Sequence, residues 1–154
     1  MTGQVIAMFV APARHAGQIA VTSVQLKTGK GIVGDRFFGF RKTQPGRNMT
    51  LIEWEVIEEF KRSYQLNIPL NATRRNLITK GVRLNDLVGK TFKIGHIVCR
   101  GIELCEPCKV MSRQFPGTSL SDIDIIRHFN GKAGIRASVI AGGIVDLGDN
   151  VNLS

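Results

Sequence analysis

Hydrophobic positions along most of the chain occur in short blocks or alternate with polar ones, which predicts a protein built mainly of β-strands. The five clearest strand predictions are residues 5–10, 18–26, 77–79, 91–94 and 96–104. Near the C-terminus, three further apolar segments are separated by Gly142-Gly143 and Gly148-Asp149. Because such dipeptides are typical of two-residue turns, the pattern predicts consecutive hairpins there.

Two other segments show the period of an amphipathic helix. The first helix is predicted to begin at Thr50, because Thr50 and Glu53 form the pattern of a capping box. Its apolar stripe, spaced every four residues, consists of Ile52, Val56 and Phe60. It is predicted to end before Asn67, and a second, shorter helix is predicted over residues 121–129. The apolar side of the second helix is predicted to carry Ile123, Ile126 and Phe129.

Short strands, glycine turns and two helices together predict a barrel or a sandwich decorated by helices. A chain of 154 residues is long enough to bury a core as one domain, and nothing in the pattern requires a second domain. We therefore predict a single domain over residues 1–154.

The formal net charge of +9 changes the expected partner more than the expected fold. Residues 1–50 contain seven Lys and Arg but a single acidic residue, and residues 61–113 contain eleven against three. Positive charge concentrated in this way predicts an anionic partner, such as nucleic acid, a phosphorylated cofactor or an oxyanion. The plain alternative is a generally basic protein without such a partner.

An apolar run at residues 5–13 precedes Arg14 and superficially resembles a secretion signal. It has no basic segment before it and is too short to cross a bilayer, so we interpret it as the first strand. Without an export signal, the three cysteines predict free thiols in a reducing, cytoplasmic compartment rather than a disulfide scaffold.

The sharpest chemical signal is the C-x-x-C pair formed by Cys105 and Cys108. A structural zinc site would need a second pair of ligands, and a thioredoxin-like redox pair would need a βαβ context that the pattern does not predict. Alternatively, Cys108 is a single reactive or metal-binding thiol, whose thiolate form Lys109 and Arg113 would favour. The remaining alternative is that both cysteines are buried and inert.

Two basic segments are candidates for holding an anion. In Thr73-Arg74-Arg75-Asn76, two guanidinium groups can bind phosphate and an amide can bind the edge of a heterocycle, although an exposed basic turn is the alternative. The stretch from Gly29 to Gly34 matches the glycine motif of dinucleotide-binding folds, but no helix is predicted after it. Its backbone and Arg36 remain candidates for contact with an anion.

Nucleic-acid binding is a weaker hypothesis, because stacking surfaces usually interleave aromatic and basic residues. One such patch exists in the sequence, formed by Phe37, Phe38 and Phe40 beside Arg36, Arg41 and Lys42. A nucleic-acid partner is therefore not the one we favour.

Seven short motifs follow one another in a recognisable order. They are Gly31-Ile32-Val33-Gly34-Asp35-Arg36-Phe37, Asn48-Met49-Thr50-Leu51-Ile52-Glu53, Arg74-Arg75-Asn76-Leu77-Ile78, Leu84-Asn85-Asp86-Leu87-Val88-Gly89, Lys93-Ile94-Gly95, Cys105-Glu106-Pro107-Cys108 and Gly148-Asp149. In order and spacing, these motifs resemble the MOSC domain, the module named for the C-terminus of molybdenum cofactor sulfurases. The resemblance extends from about residue 18 to the end of the chain.

The resemblance implies a mainly β, barrel-like fold of the pyruvate-kinase type with about two decorating helices. It also implies binding of molybdenum cofactor (molybdopterin), a pterin that carries a phosphate and a dithiolene-bound metal. By position, Cys108 would be the molybdenum ligand or a sulfur-carrying thiol. The cofactor-binding residues would be Asp35, Arg36, Arg74, Asn76 and Lys109.

Two activities are compatible with the resemblance. One is an enzyme that reduces N-hydroxylated or other oxo substrates with electrons from a redox partner. The other is a non-enzymatic carrier that delivers sulfur or the cofactor to an acceptor enzyme. Both would use the same residues, so the sequence leaves them open. Cys105, an addition to the pattern of many relatives, would either resolve a persulfide or pack in the core.

Overall fold

The computed structural model, which describes residues 2–39, 47–107, 115 and 120–153, contains eleven β-strands within those ranges. They are β1 (Thr2–Val10), β2 (Ile19–Val21), β3 (Ser23–Lys27), β4 (Gly31–Ile32), β5 (Met49–Glu53), β6 (Leu77–Lys80), β7 (Thr91–Ile94), β8 (Ile97–Leu104), β9 (Ile135–Ala141), β10 (Gly143–Asp146) and β11 (Asn150–Leu153). The same part of the chain contains the helices α1 (Trp54–Tyr64) and α2 (Asp122–Phe129). Short 3-10 turns cover Leu70–Thr73 and Leu84–Leu87.

Seven of these strands close into a barrel in the order β11-β7-β8-β9-β5-β6-β1. β1 closes it by pairing with β11 through Thr2–Gln4 on one edge and with β6 through Gln4–Met8 on the other. All neighbours in the barrel are antiparallel except β5 and β6. The smaller sheet has the order β10-β3-β4, and β2 extends β1. This arrangement confirms the predicted mainly β, barrel-like fold with two helices.

Two hydrophobic cores result from this arrangement. The barrel core lies inside the strands and includes Met49, Leu51, Leu77, Phe92 and Ile135. The outer core lies between the helices and the outer face of β1, β5 and β6, and includes Phe9, Ile52, Phe60, Ile78 and Phe129. Successive residues of β5 and β6 therefore bury their side chains in opposite cores, because side chains alternate across a strand.

The predicted helix start at Thr50 is wrong, because residues 49–53 form β5 and the helix begins at Trp54. β5 is buried on both faces, so its apolar residues do not alternate with polar ones as they do in a half-exposed strand. The Thr50 hydroxyl donates to the side chain of Asn76, just before β6, and accepts from the Asn76 amide rather than from an amide of its own segment. The capping-box pattern was therefore a coincidence of residue types.

The second helix lies close to its predicted position, but its buried side differs from the prediction. Ser121 and Asp124 form a capping box at its start. Ile125 and Phe129 face the outer core, whereas Ile123 is 66% exposed. A helix this short presents only two or three residues to a core, so the sequence alone fits more than one choice of face.

The predicted C-terminal hairpins are wrong, because consecutive strands pair with distant partners. β9 pairs with β8 and β5, β10 pairs with β3, and β11 pairs with β7 and β1. The predicted strand at 18–26 is likewise divided, since β2 pairs with β1 while β3 belongs to the smaller sheet. At Gly142-Gly143 and at Gly148-Asp149 the chain moves between the two sheets instead of reversing within one.

One row of paired residues across the barrel wall, which we call the site end because several strands finish or begin at it, brings several connections together. Its position is fixed by the pairs Met8↔Leu77, Leu51↔Leu77, Leu51↔Ile135 and Leu104↔Ile135. β8 finishes and β6 and β9 begin at this row, and β1 finishes two residues beyond it. Because β5 is parallel to β6 and antiparallel to β9, β6 and β9 leave the row in opposite directions. Gly134, just before β9, has φ +97 and lies against the Leu51 carbonyl, so a Cβ would overlap that oxygen. Neither helix of the described residues has the length and apolar character needed to cross a bilayer.

Candidate anion-binding site

Three arginines, Arg36, Arg74 and Arg75, form a cluster at the site end. Arg36 follows β4, while Arg74 and Arg75 lie between the 3-10 turn that ends at Thr73 and the start of β6. Arg36 Nη2 donates to the backbone oxygen of Arg74 at 3.1 Å, which joins the two segments. The structure therefore brings together two basic segments that are 38 residues apart in the sequence.

A buried carboxylate, Asp35, holds one side of this cluster. Its Oδ1 accepts hydrogen bonds from Ala11 N at 3.1 Å, Arg36 Nη1 at 3.2 Å and Asn76 Nδ2 at 3.2 Å. Its Oδ2 accepts from Phe37 N at 3.2 Å. The Asp35 side chain is fully buried and is occupied by partners within the protein. Both carboxylate oxygens of Asp35 therefore position neighbouring groups of the protein, and neither is exposed to a ligand.

Asn76 is fully buried beside it. Its Nδ2 donates to Phe9 O at 3.1 Å and to Asp35 Oδ1, and its Oδ1 accepts from the amide and the hydroxyl of Thr50, both at 3.1 Å. An amide side chain has two donor hydrogens and two acceptor lone pairs, so this set uses its whole capacity. Asn76 thus ties β1, β5 and β6 together at the site end.

The Arg36 side chain is only 7% exposed and lies over the Phe37 ring, with Cζ 4.4 Å from the ring centroid. Burial lowers the pKa of Arg36 from its usual value, Asp35 raises it, and the positive charges of Arg74 and Arg75 lower it further. Arg36 therefore pairs with one carboxylate and lies near two further guanidinium groups. The cluster therefore has an excess of positive charge in a partly desolvated place, where an anion is attracted most strongly.

Arg74 is one of two non-glycine residues with positive φ among the described residues, at φ 58 and ψ 27. Such backbone is disfavoured for residues with a Cβ, and here it ends the 3-10 turn. Nη1 of Arg74 donates to Ala16 O at 3.0 Å. Nη2 of Arg74 is buried and has no hydrogen-bond partner in the described part of the chain.

The third arginine links the cluster to the cysteine motif. Arg75 Nε donates to Ala133 O at 2.8 Å, next to Gly134, whose carbonyl accepts from Cys105 N at 2.8 Å. Burial raises the pKa of the Cys105 thiol, while the positive charges of Arg75 and Arg136 lower it. The segment that follows β8 therefore runs close to the arginine cluster.

A family model for the MOSC domain matches residues 39–152 of the chain. The protein belongs to the MOSC domain family. This confirms the resemblance found in the order of its motifs. Among curated proteins, no significant match is found.

Solved structures show the same MOSC fold. The YuaD protein from Bacillus subtilis is 20% identical with a TM-score of 0.82, and the match covers 98% of this chain and 94% of that one. YiiM from Escherichia coli is 23% identical with a TM-score of 0.72, covering 98% and 69%. YiiM from Geobacillus stearothermophilus is 14% identical with a TM-score of 0.74, covering 99% and 75%. At these identities, the likeness concerns the fold alone.

Two residues predicted for the MOSC site, Cys108 and Lys109, lie outside the described residues, as do Phe40, Arg41 and Lys42 of the aromatic and basic patch. Within the described ranges, no three His, Cys, Asp or Glu side chains lie close enough together to hold a metal ion. Cys99 lies in the barrel core and Cys105 in the outer core, and both are free thiols. The described residues thus offer no zinc site that includes either cysteine.

Sequence reasoning missed two participants at this site. Gln18 lies just before β2, and its Nε2 donates to Arg75 O at 3.3 Å. Thr50, interpreted as a helix cap, is instead a hydrogen-bond partner of Asn76. No local signal marks either role, because their partners are 57 and 26 residues away.

Proposed function

We propose that this MOSC protein binds molybdenum cofactor at the arginine cluster and that Cys108 is its molybdenum ligand or sulfur-carrying thiol. The observation that carries the proposal is the convergence of Arg36, Arg74 and Arg75 at the site end, facing a single buried carboxylate. Guanidinium groups bind phosphate through paired hydrogen bonds, so this cluster suits the phosphate of the cofactor.

The residues present fit such a cofactor. Arg74 Nη2 is a buried donor without a partner among the described residues, and buried donors in native proteins are normally satisfied. An acceptor oxygen of the cofactor would satisfy this donor, and the phosphate of the cofactor would offset the like charges of the cluster. Arg36 is held in place by Asp35 and by the backbone of Arg74, so it needs little further ordering to bind.

The structure supports a different division of roles from the one that the resemblance implies. Arg36 and Arg74 are proposed as direct ligands of the cofactor, with Arg36 at its phosphate. Asp35 and Asn76 are proposed as positioning residues, because their hydrogen-bonding groups are occupied inside the protein. Lys109 stays a proposed cofactor contact on the strength of its position beside Cys108.

Cys108 is three residues after Cys105, which directly follows β8 at the site end. Three residues of chain span at most about 11 Å, so the covalent chain keeps Cys108 within that reach of Cys105. Cys105 is joined to the cluster through the backbone, because its N–H donates to Gly134 O and the neighbouring Ala133 O accepts from Arg75. A thiolate can bind a thiophilic metal or carry sulfur, and this is the role proposed for Cys108.

The cofactor, when bound, supplies a metal that exchanges electrons and an oxo group with a substrate. Reduction of an N-hydroxylated substrate to the amine would consume two electrons from a redox partner and two protons, and would release water. As a carrier, the protein would instead hold sulfur on Cys108, or the cofactor itself, and pass it to an acceptor enzyme. Cys105 is poorly suited to resolve a persulfide, because it is buried and burial raises its pKa.

The proposal is tested by molybdenum and pterin analysis of protein expressed in a host rich in the cofactor. We expect the native protein to contain both, Cys108→Ala to lose molybdenum, and Arg36→Met to lose pterin as well as molybdenum. Cys105→Ala is the matched control, since its thiol packs in the outer core. Equal molybdenum in native protein and Cys108→Ala, or none in either, would refute the ligand assignment.

A second measurement separates the carrier from the enzyme and tests the nucleic-acid alternative. A persulfide on Cys108 adds about 32 Da, is removed by cyanide and is absent from Cys108→Ala. Turnover of an N-hydroxylated substrate without such a species favours the enzyme. In filter binding we expect weak nucleic-acid affinity, whereas strong affinity with a steep salt dependence would favour a nucleic-acid partner.

We expect a cytoplasmic location, which the free thiols Cys99 and Cys105 support.

A further inference from the structure

We propose that Gln18 and Arg74 form a donor–acceptor pair that binds the neutral, amide-like edge of the ligand's heterocycle. This inference rests on the proposed function, because it assigns residues to the pterin of the same cofactor. It adds Gln18, which no motif identifies, and separates recognition of the heterocycle from recognition of the phosphate.

The pair lies where the β1–β2 loop, residues 11–18, meets the arginine cluster. Two hydrogen bonds cross this junction: Gln18 Nε2 donates to Arg75 O, and Arg74 Nη1 donates to Ala16 O. Each bond uses only one end of its side chain. The other ends, Gln18 Oε1 and Arg74 Nη2, are shielded from solvent and have no hydrogen-bond partner in the described ranges.

A buried acceptor and a buried donor left unpaired at one junction are unusual, because each is costly to desolvate without a partner. A phosphate could satisfy Arg74 Nη2 but not Gln18 Oε1, since both would present acceptor oxygens. A group that donates through N–H and accepts through C=O satisfies both atoms at once. The amide edge of a pterin has these two groups, and so the pair favours that edge over a simple anion.

The loop that covers the pair is anchored at both ends. Ala11 N donates to Asp35, and Arg36 N donates to Ala11 O at 2.7 Å. At the other end Gln18 is held by Arg75. Between these anchors, residues 12–15 are exposed to solvent. We expect the ligand to reach the pair by displacing this exposed part, at the expense of the bond between Arg74 and Ala16.

Gln18→Met tests the pair, because Met keeps the length of the side chain and removes both polar atoms. Gln25→Met is the matched control, since Gln25 is an exposed glutamine on β3. The pterin-to-protein ratio of each protein is measured by fluorescence after denaturation, following expression with a limiting cofactor supply. The thermal midpoint of each protein is measured with and without inorganic phosphate.

For Gln18→Met we expect the pterin-to-protein ratio to fall by about fivefold or more, because the loss of one hydrogen bond to a ligand weakens binding by about that factor. Protection by inorganic phosphate should stay as in the native protein, because the arginines are intact. Gln25→Met should match the native protein in both measurements. This separation of pterin from phosphate would support the assignment of Gln18 to the heterocycle.

Three results would overturn the inference. Equal pterin ratios in native protein and Gln18→Met would show that Gln18 does not contact the heterocycle. A parallel loss of pterin, phosphate protection and thermal midpoint would show that Gln18 only holds the loop. Native protein that is protected by phosphate but contains no pterin would refute the cofactor assignment itself, and with it the role of the pair.

Discussion

The barrel core and the outer core bury similar side chains but differ in what they adjoin. The barrel core is enclosed by strands and contains the buried thiol of Cys99. The outer core lies beneath two helices, contains Cys105, and packs against His128 through Phe60 and Phe129. Closure of the barrel thus isolates one core from charge, whereas the other core extends to the arginine cluster.

The two cores also differ in what shifts the pKa of their buried thiols. Burial alone raises the pKa of Cys99 to about 12. Burial also raises the pKa of Cys105, but Arg75 and Arg136 lower it while Glu103 and Glu106 raise it. Nearby charges therefore affect the pKa of the thiol in the outer core, whereas burial alone sets the shift of the thiol in the barrel core.

The largest expected effect is at the polar network between the cores. Asp35→Ala removes one acceptor from the side chains of Arg36 and Asn76 and leaves the amides of Ala11 and Phe37 without the acceptor that they have. We expect the free energy of unfolding to fall by about 3–5 kcal/mol, as when a buried ion pair loses one member. Urea unfolding checks this, with the exposed Asp146→Ala as control. A loss under about 1 kcal/mol would show that the two cores do not depend on this network.

A second prediction uses the thiols. In protein that contains only Cys105, we expect its pKa to lie above the ordinary value of 9.0 and to rise further on Arg75→Met, because Arg75 favours the thiolate. The ultraviolet absorbance of the thiolate during an alkaline titration measures it. In protein that contains only Cys99, Arg75→Met should leave the titration unchanged. An equal response of both thiols would contradict the electrostatic isolation of the barrel core.

The third prediction concerns His128, whose ring packs against Phe60, Tyr64 and Phe129. Burial first, and then Lys132, lower the pKa of His128 below 6.5 in the folded protein. The unfolded chain therefore binds a proton at His128 more tightly than the folded protein does. The contribution of neutral His128 to the free energy of unfolding is complete well above pH 6.5 and declines as the pH falls below 6.5.

Urea midpoints measured on either side of this pH should show the decline in native protein and less of it in His128→Gln. His96→Gln, at an exposed position, is the control, and its urea midpoint should depend on pH as in the native protein. If the urea midpoint of His128→Gln keeps the full native dependence on pH, protonation of His128 does not contribute to that dependence.

The smallest expected effect is at the surface of the outer core. Lys132 forms an ion pair with Glu59 at 3.2 Å, and both side chains are substantially exposed. Lys132→Ala should change the free energy of unfolding by less than about 1 kcal/mol, as is usual for exposed pairs. It should also raise the pKa of His128, because a nearby positive charge is removed. Titration of the His128 ring signals by NMR measures this shift, and no shift would refute the assigned coupling.

Local patterns in the sequence were sufficient to predict several elements. β7 spans the predicted residues 91–94, β8 begins one residue after its predicted start, and α2 begins one residue after its predicted start and ends where predicted. The order of motifs predicted the family and the barrel-like fold, and both are confirmed. These predictions succeeded because each depends on neighbouring residues or on a series of local motifs.

The tertiary structure decided which strands pair and which polar groups are free. Thr50 resembles a helix cap in the sequence, yet β5 is a strand because barrel and helices bury it from opposite sides. Asn76 looks available for a ligand until its bonds to Phe9 and Asp35, 67 and 41 residues away, are counted. Gln18 approaches Arg75 only because β1 and β6 pair. Sequence patterns report local preference, whereas long-range packing decides which hydrogen-bonding groups are already occupied.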